Sequence, residues 1–309
     1  MRRAAALAPL LLAAALVVGC SGGGALEEAM DASTEAGSGP KAVAVATPAA
    51  EDGRDSTVGV ASSDAAEDGA GAAGPFGSEP RAEGGDGFEA DTLLAVRHGA
   101  HEGFERVVLD LGAGEEPAGV VPRWTLDSPE GDRLLRVNLS FANATGISDG
   151  EFGDGLLKSF HVVRAPEGGM FVDVLARRCF RYRVLELTEP ARLVVDFRPA
   201  GGSPKEPFPA VGGETVLLEP RPGAEISDPL TVSGYSRNFE TSNTIVLKND
   251  EGDTLVRETV LANDWSSTWG YFEATLNLPP LPNKGTLKVG TESARDGSFE
   301  GVEIPVRGG

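Results

Sequence analysis

The sequence predicts an all-β protein: two β-sandwich-like domains carried on a long acidic segment that cannot build a core. Three observations lead there. From Phe88 onward apolar residues come in short runs broken by Gly, Pro, Asp and Asn, the pattern of strands and turns. No segment of that region sustains an apolar period of 3.6 over three turns, so helices are not expected. Residues 21–87 are mostly Ala, Gly, Ser, Asp and Glu, with Phe76 as their only aromatic.

Taken in order, the chain opens with Arg2 and Arg3, then Ala4 to Val18 without a charge, then Gly19 and Cys20. A basic start, an apolar run and a small-residue exit form a secretory signal. The run is shorter than the ~20 residues that span a bilayer. Leu16-Val-Val-Gly-Cys20 resembles the lipobox of bacterial lipoproteins. That resemblance implies that residues 1–19 are removed, that Cys20 is acylated, and that the chain is held on the extracytoplasmic face of the cell membrane.

Residues 20–87 follow as an acidic linker. Between Ser21 and Gly87 there are 13 acidic residues against Lys41, Arg54 and Arg81, a net charge of 3 − 13 = −10, half of the total of −20. Such a composition buries too little apolar surface to offset chain entropy, so disorder is expected. The overall charge excludes nucleic acid and anionic membrane surfaces as partners, since both need a basic face. With Cys20 lipidated, Cys179 has no cysteine left to pair with, so no internal disulfide framework is expected.

The first folded domain is placed at 88–200. Its strands are expected at Thr92–Arg97, Arg106–Leu111, Arg123–Asp127, Leu134–Phe141, Lys158–Arg164, Gly169–Ala176, Tyr182–Glu186 and Arg192–Arg198. Two of them echo each other, Arg106-Val-Val-Leu-Asp-Leu111 and Arg192-Leu-Val-Val-Asp-Phe197. Each puts Val, Leu or Phe on one face and Arg and Asp on the other, as a half-solvated strand does. The two are natural candidates to pair, with Arg and Asp meeting across the ladder. The stretch His101-Glu-Gly-Phe-Glu-Arg-Val-Val-Leu-Asp-Leu111, with Glu189-Pro-Ala-Arg-Leu-Val-Val-Asp-Phe197, resembles the AMIN-like domain of bacterial envelope proteins. The resemblance implies an all-β fold, a localising or binding role and no catalytic residue. His101, Phe104, Glu105, Arg106, Arg192 and Asp196 are its motif positions, expected to be structural, with His101 capping backbone groups.

Residues 201–212, rich in Pro and Gly, read as a semi-stiff linker. The second domain, 213–309, shows seven strand patterns: Thr215–Glu219, Leu230–Tyr235, Thr244–Lys248, Thr254–Leu261, Tyr271–Leu278, Thr286–Gly290 and Val302–Val306. That number in about ninety residues fits an immunoglobulin-like sandwich. Pro220-Arg-Pro-Gly-Ala-Glu-Ile-Ser-Asp-Pro-Leu-Thr-Val-Ser-Gly-Tyr235, followed by Asn238-Phe-Glu240, Gly252 and Asp296-Gly-Ser298, resembles the immunoglobulin-like domain of bacterial spore germination proteins. The resemblance implies an extracytoplasmic binding or scaffolding module.

No dedicated catalytic motif is present. His98 and His101 are three apart on a strand, which points their rings to opposite faces, so neither a metal nor another cofactor is expected. The carboxylates of Asp149-Gly-Glu-Phe-Gly-Asp154 are the kind of pairing an acidic chain makes by chance, which leaves a glycan hydrolase as the last-ranked alternative. Cys179 sits among arginines, but between strands it reads as a small buried hydrophobe. The Trp265, Trp269 and Tyr271 cluster is the candidate binding site. Within it Trp265 is expected to be exposed, while Trp269, with Phe272, plugs one end of the sandwich. The function expected is a non-enzymatic cell-envelope lipoprotein that binds or scaffolds peptidoglycan, another wall glycan or an envelope protein. The alternative is a structural subunit of a sporulation or germination assembly that contacts proteins only. The Pro- and Gly-rich linker predicts that 88–200 and 213–309 fold independently.

If Cys20 carries the lipid, Cys20→Ser moves the protein from the detergent phase into the medium with both domains folded. Phase partitioning measures this, and a variant that stays in the membrane points to another anchor.

Overall fold

The computed structural model describes residues 74–128, 133–205, 207–280, 283–293 and 295–309. The signal segment, Cys20 and the acidic linker as far as residue 73 lie outside the described residues. Strands make up the regular structure that is described, apart from one 3-10 turn at Phe239–Thr241.

The first module contains β1 (Arg81–Gly84), β2 (Thr92–His101), β3 (Phe104–Ala113), β4 (Glu116–Pro117), β5 (Trp124–Asp127), β6 (Leu134–Leu139), β7 (Ala144–Thr145), β8 (Asp149–Glu151), β9 (Leu157–Arg164), β10 (Met170–Ala176), β11 (Phe180–Leu187) and β12 (Arg192–Pro199). One sheet runs β11-β12-β3-β2-β7, with β4 on β3. It faces β1-β5-β6-β10-β9, with β8 on β9. Period-2 alternation turns Val107, Leu109, Leu111, Leu193, Val195 and Phe197 inward, against Leu126, Val137, Val162, Val172 and Val174 of the facing sheet. Each such side chain, fully buried, stabilises the fold by roughly 1.5–3 kcal/mol.

The two echo strands are neighbours: β12 pairs antiparallel with β3, with Arg106 opposite Asp196. Arg106 Nε donates to Asp196 Oδ1 at 2.7 Å and Arg183 Nε donates to Oδ2 at 2.8 Å. Asp196 is fully buried, while Arg106, Val108, Asp110 and Arg192 on the same outer face are only part-buried, as a half-solvated face requires. Phe76 helps to cover it, its ring centroid 4.6 Å from the Arg183 guanidinium and 4.3 Å from that of Arg198. The Gly77 amide donates to the Tyr182 carbonyl at 2.9 Å, and β1 pairs with β5. The first module therefore reaches back at least to Phe76, ahead of the expected start at Phe88. Its leading strand, Arg-Ala-Glu-Gly, is a polar edge that carries no apolar alternation to announce it.

The second module contains β13 (Ala210–Gly212), β14 (Thr215–Glu219), β15 (Glu225–Ile226), β16 (Leu230–Ser236), β17 (Ser242–Asn249), β18 (Thr254–Leu261), β19 (Trp269–Leu276), β20 (Gly285–Glu292) and β21 (Phe299–Gly308). One face of β19-β16-β14-β13 packs on β15-β21-β20-β17-β18 around Leu217, Val232, Leu247, Phe272, Leu287 and Ile304.

The modules are joined edge to edge and face to face. β19 runs parallel to β9, with Trp269 opposite Val163, which makes one ten-stranded sheet. That sheet folds back on itself, and a third apolar cluster fills the fold: Leu134, Val163, Phe171 and Leu175 from the first module, Val216, Leu218, Tyr235 and Trp269 from the second. The connecting segment is part of this junction. Phe208 packs against the cluster and lies over Arg133 and Lys158, and β13 pairs with β14. The 201–212 segment is thus no spacer, because its one aromatic has a greasy surface to cover.

This corrects the expectation that the two domains fold apart. Calorimetry of the intact chain should give one cooperative transition. The separate fragments 88–200 and 213–309 should expose the junction and bind a hydrophobic dye, and two soluble fragments with independent melting would refute the coupling.

Candidate functional site

The sequence-predicted aromatic cluster is split by the fold into three environments. Trp265 stands at the tip of a loop held by one carboxylate. Asp264 Oδ1 accepts the amides of Trp265 at 2.6 Å and Ser266 at 3.0 Å, and Oδ2 accepts the Thr268 hydroxyl at 2.8 Å. These bonds, with burial working against them, hold the Asp264 carboxyl below its usual range. Gly270 closes the loop, and a Cβ there would collide with the Asp264 backbone.

Trp265 packs edge-to-face on Phe239, ring centroids 5.2 Å apart. Phe239 is 69% exposed and Trp265 38%, and Leu261, at the end of β18 where it lies opposite Ser242, is 66% exposed. The loop bearing Phe239 is anchored from below. Asn238 Nδ2 donates to Thr215 Oγ1 at 3.0 Å and to Asn243 Oδ1 at 2.8 Å, all three residues being buried. Glu240 and Thr241 adopt φ of 53° and 62°, a conformation that costs non-glycine residues energy and persists only where the surroundings impose it.

Trp269 is buried, but not with Phe272. The two have opposite parity on β19, so Phe272 enters the second module's core while Trp269 faces the junction. Its indole Nε1 donates to Asp149 Oδ2 at 3.0 Å, and its ring meets His161 edge-on at 4.7 Å. Asp149 also accepts from Arg237 Nη1 at 3.2 Å. Burial would raise the Asp149 carboxyl, but the Trp269 and Ser148 hydrogen bonds and the Arg237 charge outweigh it and hold it low.

Asp149 ends a row of polar side chains in register across six strands: Arg81, Asp127, Arg136, Asp173, His161 and Asp149. In its centre Arg136 grips the fully buried Asp173 with two bonds, at 2.7 and 2.8 Å. The Tyr235 hydroxyl lies 3.5 Å from His161 Nδ1, and burial together with Asp173 raises its pKa. Burial pushes the His161 imidazole down to about 4, against the pull of Asp149 and with the push of Lys158.

Tyr271 shares the outward face of β19 with Trp269 but is half-buried. Its hydroxyl donates to Glu273 Oε2 at 2.7 Å, and burial with that carboxylate pushes its pKa up to about 12. Its ring lines a cleft of about 470 Å³ together with Arg136, Asn138 and Phe171 of the first module.

The motif positions of the first module form scaffolding. His101 stacks on Phe104 at 4.7 Å and, among the described residues, caps no backbone group. Glu105 does that instead, accepting the Leu156 and Leu157 amides and contacting His98 Nε2 at 3.0 Å. Arg192 lies opposite Asp110, whose carboxylate is held by Arg97. Cys179 is buried. Among the described residues no cluster of His, Cys, Asp and Glu could hold a metal ion.

Sequence reasoning missed Phe239, His161 and the Arg136–Asp173 pair. For the last two the signal was present: a lone His in Phe-His-Val-Val and a lone Asp in Phe-Val-Asp-Val must find partners if their strands are buried on both faces.

Residues 215–298, from β14 to the turn before β21, match a family model. It is Gmad2, the immunoglobulin-like domain of bacterial spore germination. That domain type is non-catalytic. No curated protein and no solved structure shows significant similarity to the chain. The Gmad2 match includes Phe239, Trp265, Trp269 and Tyr271.

Two outcomes follow for the junction. Trp269→Ala should lower stability by about 3–5 kcal/mol in denaturant unfolding, as for a deleted core aromatic. An unfolded His161 titrates near 6.5 and the folded one at about 4, so between those values only the unfolded chain takes up the proton. Stability from this group is complete above pH 6.5 and declines as the pH falls toward 4, by about 3 kcal/mol in total. His161→Phe should flatten that slope in a pH series of melts.

Proposed function

We propose that the protein is a non-enzymatic lipoprotein of the cell envelope, acylated at Cys20 on the extracytoplasmic face of the membrane. An AMIN-like first module and its Gmad2 domain form one rigid binding or scaffolding head. The observation that carries this reading is the Phe239–Trp265 pair. Two large rings and Leu261 are exposed on one end of the Gmad2 domain, on loops fixed by Asp264 and by the buried Asn238. Exposed apolar groups on pre-organised loops are the anchors that dominate contact energies. The partner is a wall glycan or an envelope protein, and the acidic linker gives the head reach from the lipid surface. The Gmad2 match supports a second reading, a protein-binding subunit of a sporulation or germination assembly.

The test is co-sedimentation of the full chain with isolated cell envelopes. Trp265→Ala and Phe239→Ala should each weaken binding by about tenfold while melting barely moves. Binding lost after protease treatment of the envelopes assigns a protein partner, and binding kept on purified sacculi assigns the glycan. Unchanged binding by both variants removes this surface from the function.

A further inference from the structure

We infer that the cleft between the two modules is a binding site for a neutral saccharide. The inference is independent of the Phe239–Trp265 surface. At about 470 Å³ the cleft falls in the range of roughly 300–1,000 Å³ usual for small-ligand sites, and it lies at a module boundary, where such sites concentrate. Its floor is sheet, and the β9–β10 turn from Ala165 to Gly168 forms a wall. Thr125, Asn138 and Phe171 follow in register across β5, β6 and β10, so that floor is held in place before any ligand arrives.

The lining offers planar groups and hydrogen-bonding groups of both senses. The Arg136 guanidinium lies over the buried Phe171 ring, 3.8 Å from its centroid, so the ring left for a ligand is the half-buried Tyr271 of the other module. Asn138 Nδ2 is engaged by Thr125 at 3.1 Å and Asp127 at 2.8 Å, which leaves its carbonyl oxygen as an acceptor. Arg136 spends Nε and Nη2 on Asp173 and keeps Nη1 as a donor. The Ser140 hydroxyl can do either.

Charge then selects the ligand class. Arg136 is the cleft's one cation and is already neutralised by Asp173, while Glu167 is its one carboxylate. An anion would gain no uncompensated charge and would face Glu167, and a metal ion would find a single carboxylate. An apolar ligand would strand Asn138 and Arg136 without water. A pyranose avoids all three penalties: its hydroxyls donate and accept, and its C–H face can lie on the Tyr271 ring.

Titration calorimetry on the full chain in detergent tests this with three probes: a tetramer of N-acetylglucosamine, a tetramer of glucose, and tetragalacturonate as the charged control. At least one neutral tetramer should bind saturably, and tetragalacturonate should bind about tenfold more weakly or not at all. Tyr271→Ala should weaken the neutral ligand about tenfold, and so should Ser140→Trp, which fills the cleft from an exposed turn and keeps the test open if the tyrosine variant melts. Phe239→Ala should leave this binding unchanged, which separates the cleft from the loop surface. Binding of neither neutral tetramer, equal binding of tetragalacturonate, or full binding by Ser140→Trp would overturn the assignment.

Discussion

The structure depends on β9 and β10 having no solvent face. One side of this strand pair closes the first module's core, and the other is covered by Val216, Leu218, Tyr235 and Trp269 of the second. Every residue of β10 is buried. A polar side chain in such a strand must be fully satisfied, since an isolated buried carboxylate would cost several kcal/mol. Asp173 meets that demand through Arg136, and His161 meets it by remaining neutral beside Asp149. The same constraint fixes how the modules sit, because Tyr235 and Trp269 reach these groups only in one arrangement.

Much of this was legible in the sequence. The strands of both modules follow from alternation, and the pairing of the Arg106 and Arg192 strands follows from their matching faces, with Arg106 meeting Asp196 as opposed charges should. The immunoglobulin-like module was legible in its turn residues. What escaped was the third layer. Met170-Phe-Val-Asp-Val-Leu-Ala176 is apolar on both faces, which a two-layer sandwich with one wet side does not require. That excess is the mark of a covering module, and reading 201–212 as a spacer hid it.

The candidate site was legible in composition but not in geometry. Trp265, Trp269 and Tyr271 are neighbours in sequence, yet a loop tip, a buried junction and a cleft wall are different chemical settings. Parity along β19 separates Trp269 from Phe272, and register alone brings Trp269 to Val163. Phe239 gave no signal, since one aromatic inside an Asn-Phe-Glu turn looks like any other turn residue. Its meaning comes from Trp265, some 25 positions on, meeting it across the loops.

The way the N-terminal side of the head is fastened has a mechanical consequence. Phe76 is held by the guanidinium groups of Arg183 and Arg198, Gly77 by one backbone pair with Tyr182, and β1 by four residue pairs along β5. Tension on the preceding chain meets these contacts in that order. The first to yield are cation–ring contacts and the two reciprocal hydrogen bonds between Gly77 and Tyr182, which can break and re-form without disturbing either core. Under such a load Phe76 would serve as a clasp, releasing a short length of slack before the β1–β5 ladder and the folded head feel the force.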